Sequence, residues 1–375
     1  MRVLHVISGL GLGGAERFLC RLSRQLAAQY EVEQLVVSID SRGDSDIGYM
    51  FERCEVVYLN AGSLSGLLSA PTKLAAVIDA FAPDIVQSWL YRADLVASLA
   101  KWRQQKMPLL WNIRCADAIL PLTTRLLIKG CALLSRWAPN RIIVCGHRAL
   151  NVHRRLGYDA SRMTVINNGY QFDDFPLLQE KMSVGPTSAE RPFVIGAAGR
   201  FDPSKDYKNL LNAFAILRKQ GRRVKLVIAG KGCSYKNNEI ASLIDELKLR
   251  DFVELHGEVL DMAEFYGSLD AFCLSSVSEG FPNVVCEAMG YAVLPVVTDA
   301  GDAADIVGEA GIVVPVSDSV RLAAALVEVI DLPEAERSRR RHMAASQVRL
   351  RFDIDQIAQT YFETYTEVLE QQRST

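Results

Sequence analysis

Residues 270–290, DAFCLSSVSEGFPNVVCEAMG, decide how the rest of this chain is read. The apolar run 271–274 predicts a strand, the Ser/Gly/Pro segment after it a tight loop, and the residues from about Asn283 a helix. Two carboxylates, Glu279 and Glu287, flank that helix start with seven residues between them. Gly280 follows Glu279 and tolerates backbone angles closed to other residues. Pro282 suits a helix start, where its missing N–H would be unpaired in any case. The free N–H groups of Asn283, Val284 and Val285 would favour an anion. An acid ahead of a helix N-terminus and another inside it form a pocket suited to something both polyhydroxylated and anionic. A sugar joined to a diphosphate fits that description, while acids that only cap and solvate the helix remain the plain alternative.

The chain around this stretch has 375 residues, enough for two domains, with a net charge of −2 that predicts no bulk attraction to nucleic acid. No apolar run approaches the ~18 residues of a membrane span, and the start of the sequence has no signal-peptide pattern. Eight cysteines are scattered without a C-x-x-C pair. This argues against a zinc site or disulfide framework and for a reducing cytosol. Strand and helix signals alternate throughout the first half, with strands at 3–7, 32–39, 56–59, 85–88, 109–113 and 142–145 and helices at 15–30, 72–81 and 93–102. That alternation predicts a parallel sheet with its ligands beyond the carboxyl ends of the strands. Gly9, the Trp89 to Arg92 turn, residues 112–117 and residues 145–147 all lie at such ends.

Gly9, Gly11 and Gly14 literally satisfy G-x-G-x-x-G, the dinucleotide fingerprint. A dehydrogenase also needs an acid closing the second strand, and Asp40 lies further along than the usual ~20 residues. The pattern alone is weak. In the second half, a strand at 193–197 ends in Gly199-Arg200, a turn holds Asp202-Pro203, and a helix begins near Asp206. Arg200 and Lys205 therefore stand at the mouth of the second sheet beside the Glu279 loop. Fixed cations there would stabilise the charge that develops on a departing diphosphate, Arg through two oxygens and Lys as a point charge. The strand at 224–229 runs into Gly230 to Cys233, and that at 253–256 into Gly257-Glu258. His256 is read as structural.

Glu279-x7-Glu287 within SEGFPNVVCEAM, together with Arg200 and Lys205, resembles the signature of the retaining GT4 glycosyltransferases. The resemblance spans essentially the whole chain. It implies a GT-B fold, two facing Rossmann-like doubly wound α/β domains with an interdomain cleft: 1–178 for the acceptor, joined by a C-terminal helix 354–372, and 190–353 for the nucleotide sugar. The segment 164–175 resembles the one that closes the first domain in that family, and the polar stretch 176–192 reads as a linker. By resemblance, Arg200 and Lys205 hold the donor diphosphate, Glu279 orients the sugar and Glu287 holds the ribose. Phe281, Pro282, Asn283 and Val284 complete the donor loop, and Gly230 and Glu258 lie around the base through backbone atoms. Gly13 and Gly14, with Glu16, match a loop that brings backbone close to the donor from the first domain. Thr298 to Asp302 would line the same cleft. Many members have a His after the strand 109–113; here Arg114 occupies that place and is the acceptor-side candidate. No metal or cofactor is implied beyond the donor itself, a UDP-sugar being favoured over a GDP-sugar.

Residues 101–155 carry eleven Lys and Arg against the single acid Asp117. Within them, 122–137 reads as an amphipathic helix with Arg125, Lys129 and Arg136 on one stripe and Leu126, Leu127, Leu133, Leu134 and Trp137 on another. Such a helix suits an anionic membrane surface; equally, it could pack its apolar stripe on the sheet. The expectation is a cytoplasmic protein, peripheral on the inner face of the membrane, that acts on a saccharide or lipid-linked acceptor in polysaccharide or lipopolysaccharide assembly. A nucleotide-sugar epimerase of the same fold and a nucleotide-sugar-binding regulator without turnover are the rival readings.

Overall fold

The computed structural model describes residues 1–11, 13–43, 46–51, 53–102, 107–114, 121–172, 191–259 and 261–374. Asp117 and nearly all of the expected linker 176–192 lie outside them, and with that stretch the expected boundary at 178 and 190. The chain divides into two compact units, Met1–Gln171 with Phe352–Thr375, and Phe172–Arg351.

In the first unit strands and helices alternate except between β2 and β3, which only a short 3-10 turn separates. They run β1 (Arg2–Ile7), α1 (Gly14–Tyr30), β2 (Glu33–Ser38), β3 (Glu55–Tyr58), α2 (Leu64–Phe81), β4 (Ile85–Trp89), α3 (Tyr91–Lys101), β5 (Leu109–Ile113), α4 (Leu122–Leu134), β6 (Arg141–Val144), α5 (His147–Arg155) and β7 (Met163–Val165). Among the described residues the strands form one parallel sheet in the order β3-β2-β1-β4-β5-β6-β7. The strands β4 and β5 are buried along their whole length, as strands covered on both faces should be, with the polar Gln87, Ser88 and Asn112 buried among their apolar residues. The expected helix at 72–81 begins eight residues earlier than 72, at Leu64, and carries Pro71 inside it. Ser63 caps its start by accepting from the Gly66 amide, a signal that outranks the proline as the start mark.

The second unit holds β8 (Phe193–Ala198), α6 (Tyr207–Lys219), β9 (Val224–Ala229), α7 (Asn238–Glu246), β10 (Val253–Gly257), α8 (Met262–Gly267), β11 (Ala271–Leu274), α9 (Asn283–Gly290), β12 (Leu294–Thr298), α10 (Ala303–Val307), β13 (Ile312–Val314), α11 (Ser319–Asp331) and α12 (Glu334–Phe352). Its six described strands are parallel in the order β10-β9-β8-β11-β12-β13. Chain direction across the sheet reverses between β8 and β11. That reversal is a topological switch point, and open parallel sheets bind their ligands beyond the carboxyl ends of the strands there.

The last helix, α13 (Ile354–Arg373), belongs to the first unit. Its buried face carries Ile354, Ile357, Tyr361 and Tyr365, which join the core around Phe18 and Trp89. Tyr30 stacks on Phe362 at 4.3 Å between ring centroids, and a bridge between Tyr170 and Asp353 anchors the entry to the helix.

Candidate functional site

The loops after β8 and β11 bring Arg200, Asp202, Lys205 and Glu279 to one end of the second sheet. After β8, Asp202 accepts from the amide and hydroxyl of Ser204 at 2.9 and 2.7 Å and so folds residues 202–206 into a tight turn. Donation by Ser204 holds the Asp202 carboxyl below its usual range, with Arg200 and Lys205 adding to it. After β11, Val277 donates its amide to the Ser204 carbonyl at 2.8 Å, and the Ser275 hydroxyl donates to the Lys205 carbonyl at 2.7 Å. One backbone bond and one side-chain bond thereby stitch the two loops together. The Lys205 ammonium donates to Glu279 Oε1 at 2.6 Å, and the Ser276 hydroxyl donates to the same oxygen at 2.6 Å.

Glycines set the close approaches beneath these groups. Gly230 has φ +143°, and a Cβ there would stand well under 3.0 Å from the Gly199 carbonyl oxygen. Gly301 has φ +64°, and its Cβ would lie 2.5 Å from the Glu279 carbonyl oxygen. Neither position accepts a side chain without moving the loops that carry Lys205 and Glu279. Arg200 is different: 70 % of its side chain is exposed, and its Nε lies 3.5 Å from Asp202. It is an exposed cation, whereas Lys205 is largely enclosed.

Helix α9 follows Glu279 by four residues. Pro282 stands at its N-cap and gives no side-chain cap, and of the three amides expected to be free that of Val285 donates back to the Pro282 carbonyl at 3.0 Å. Phe281 and Pro282 are buried, Asn283 and Val284 half-buried. Glu287, one turn inside, accepts from the Tyr266 hydroxyl at 2.9 Å. Gly230 and Gly257 face one another through a backbone bond of 2.6 Å, and Glu258 is exposed at the end of β10. His256 lies 3.5 Å from Glu254, away from these loops in its contacts. The structure therefore groups Lys205 with Glu279 directly, with Arg200 and Gly230 on loops, and Glu287 on helix α9, at the same sheet end. Ser276, Tyr266 and the backing role of Gly301 were missed as individual residues. The first and last lie in stretches already singled out, but nothing local to Tyr266 signals its bond to Glu287.

The first-unit candidates form a separate set. Gly13 is the N-cap of α1 and Gly14 its first residue, with the Glu16 carboxylate folded back against Gly13. Arg114, the acceptor-side candidate, directly follows β5. It does not project freely from the end of β5: its Nη1 donates to the Ile166 carbonyl at 3.1 Å and to Asn168 Oδ1 at 2.8 Å, and its Nη2 to the Tyr361 hydroxyl. The guanidinium stacks over Phe18 at 4.5 Å, and burial lowers its pKa to about 10. A cation so engaged holds α13 on the sheet, and both terminal nitrogens are committed. Among the described residues no group of His, Cys, Asp and Glu could hold a metal ion. No described helix is long and apolar enough to cross a membrane.

Comparison with known proteins adds two family models. The first, Glycosyltransferase Family 4, matches residues 12–174, and the second, Glycosyl transferases group 1, matches residues 192–331. The chain is 27 % identical over 270 residues to the capsular polysaccharide biosynthesis glycosyltransferase CapM of Staphylococcus aureus, covering 66 % of this chain and 68 % of that one. It is 23 % identical over 305 residues to N-acetylgalactosamine-N,N'-diacetylbacillosaminyl-diphospho-undecaprenol 4-alpha-N-acetylgalactosaminyltransferase of Campylobacter jejuni, covering 78 % and 79 %. Among solved structures, Alr3699/HepE of Anabaena in complex with UDP and glucose superposes with a TM-score of 0.81 at 21 % identity, covering 98 % of this chain and 100 % of that one.

Proposed function

Since this chain belongs to the GT4-like glycosyltransferases of GT-B fold, we propose that it is a retaining enzyme using a nucleotide-diphosphate sugar, a UDP-sugar before a GDP-sugar. The acceptor is a saccharide or lipid-linked saccharide in cell-surface polysaccharide or lipopolysaccharide assembly; CapM is named for capsular polysaccharide biosynthesis, and the Campylobacter relative for a diphospho-undecaprenol acceptor. The observation that carries the reading is the meeting of Lys205 and Glu279 at the β8/β11 switch point, 2.6 Å apart, with Arg200 beside them. The complex of HepE with UDP and glucose favours uridine.

In this scheme Lys205 and Arg200 neutralise the diphosphate as the bond from the anomeric carbon to its phosphate oxygen breaks. The acceptor hydroxyl attacks from the same face, and its proton passes to the departing phosphate oxygen. Glu279 orients the sugar through its hydroxyls, and Glu287 takes the ribose. The base lies by Gly230 and Glu258. The residues present supply the charge stabilisation without calling on a metal. Proton NMR of the product made from an α-linked UDP-sugar tests the stereochemistry: the α-anomer is expected, and a β-linked product contradicts retention. Free epimerised sugar instead of a glycoside would favour the epimerase, and no turnover the regulator.

The partner reading extends to a membrane surface. On α4, Ile128, Cys131 and Ala132 face inward, while Leu122, Leu126 and Leu133 are exposed, as is Trp137 just beyond the helix. At 100° per residue these four fall on one stripe, flanked by Arg125, Lys129 and Arg136, which are also exposed. An apolar stripe bordered by cations and facing water suits an anionic bilayer. Co-sedimentation with vesicles containing phosphatidylglycerol is expected for the wild type and is expected to fall severalfold in Leu126→Ser/Leu133→Ser. Equal binding by that variant, or none by the wild type, contradicts the membrane reading.

A further inference from the structure

The first sheet has its own switch point, between β1 and β4, and it is occupied by an ion pair that the donor chemistry does not use. Arg92, in the first turn of α3, crosses from the end of β4 to the end of β1. There its Nη2 donates to the Ser8 carbonyl at 3.3 Å and to Asp40 Oδ1, at the end of β2. Both side chains keep contact with solvent, 28 % of Arg92 and 38 % of Asp40 being exposed.

Three features mark this as a built site rather than a surface pair. Two glycines hold the carboxylate: a Cβ at Gly9 would stand 3.1 Å from Asp40 Oδ2, and one at Gly62 would stand 2.7 Å from Oδ1. Leu90, two residues before Arg92, has φ +71° and ψ 155°, a conformation that side-chain-bearing residues avoid and that persists only where the surroundings impose it. Third, Arg92 Nε is enclosed without an acceptor among the described residues. The strained Leu90 and the ion pair both lie beyond the carboxyl ends of β4 and β1, where open parallel sheets bind their ligands.

We infer that Asp40 and Arg92 form a binding site for a vicinal diol, and that its source is the acceptor saccharide. Neighbouring sugar hydroxyls can donate to Asp40 Oδ2 and accept from the Arg92 guanidinium at the same time. The pair carries no net charge, so it suits a neutral polyol, and the carboxylate disfavours a phosphate. A dinucleotide ribose offers the same diol, and Asp40 closes β2 downstream of the Gly9, Gly11 and Gly14 pattern, so the test includes both sources. The choice of a saccharide rests on the glycosyltransferase reading; the diol chemistry does not.

Saturation-transfer NMR on the full chain tests it, with methyl glycosides of glucose, galactose, mannose, N-acetylglucosamine and N-acetylgalactosamine, and with NAD. At least one glycoside is expected to bind, and Asp40→Asn and Arg92→Lys to weaken it on the order of 10- to 100-fold, as losing a charge-assisted hydrogen bond does. Arg92→Lys keeps the charge and removes the planar fork, so it remains informative if Asp40→Asn lowers the melting temperature. Binding unchanged in a folded variant, no glycoside bound by the wild type, or NAD binding lost in Arg92→Lys would overturn the assignment. Glycoside binding that follows Asp40 and Arg92 in an enzyme with no donor turnover would instead count against the glycosyltransferase reading and leave the diol site standing.

Discussion

Lys205→Ala is expected to lower kcat for transfer from a UDP-sugar by about 10²- to 10³-fold, the range found when one preorganised electrostatic group is removed from a developing anion. The effect follows from how firmly this cation is placed. Its ammonium is bound to Glu279, and only 19 % of its side chain is exposed. Its backbone is tied to the β11 loop through Ser275 and, one residue earlier, through the Ser204 carbonyl. A lysine held in place needs no reorganisation when the diphosphate takes up charge. Arg200, exposed on its turn, is expected to cost less when removed. Steady-state kinetics with a UDP-sugar donor check this. A kcat within a few-fold of the wild type would make Lys205 a partner that only positions Glu279.

The second large effect concerns stability. Gly230→Ala is expected to destabilise the second unit by roughly 3 kcal/mol or more, through overpacking and a backbone angle closed to alanine. The contact that forbids the methyl group is backbone, the Gly199 carbonyl oxygen, which cannot rotate away. That carbonyl also accepts from the Tyr207 hydroxyl at 2.6 Å, so moving it disturbs the start of α6 as well. A thermal melt of the variant should show a fall of at least several degrees. A melt like that of the wild type would mean the loops after β8 and β9 adjust freely, and their close approach would lose its structural basis.

Much of this site was legible in the sequence because its parts are local. Glu279, Pro282 and Glu287 lie on one strand–loop–helix segment, and Arg200 and Lys205 on another, so their spacing alone places them at strand ends. The parallel sheets follow from continuous apolar strands between helical stretches. Contacts made across long separations were not legible. Arg114 follows β5 as a site residue would, yet 247 residues separate it from Tyr361, whose hydroxyl it engages. No pattern near position 114 announces that partner. Tyr266 and Glu287 meet in the same way, through the packing of α8 beside α9. On α4 the periodicity was plain, but periodicity does not say which stripe faces the sheet. The described structure turns Ile128, Cys131 and Ala132 inward and leaves Leu126 and Leu133 in water.

Calorimetric titration of the wild type with UDP, GDP and NAD tests the central claim most directly. Saturable binding of one nucleoside diphosphate, UDP before GDP, is predicted, weakened about tenfold or more in Lys205→Ala, with no comparable heat from NAD. Binding of NAD alone, indifferent to Lys205, would return the Gly9 to Gly14 loop to the dinucleotide reading and contradict a donor site built on Arg200, Lys205, Glu279 and Glu287.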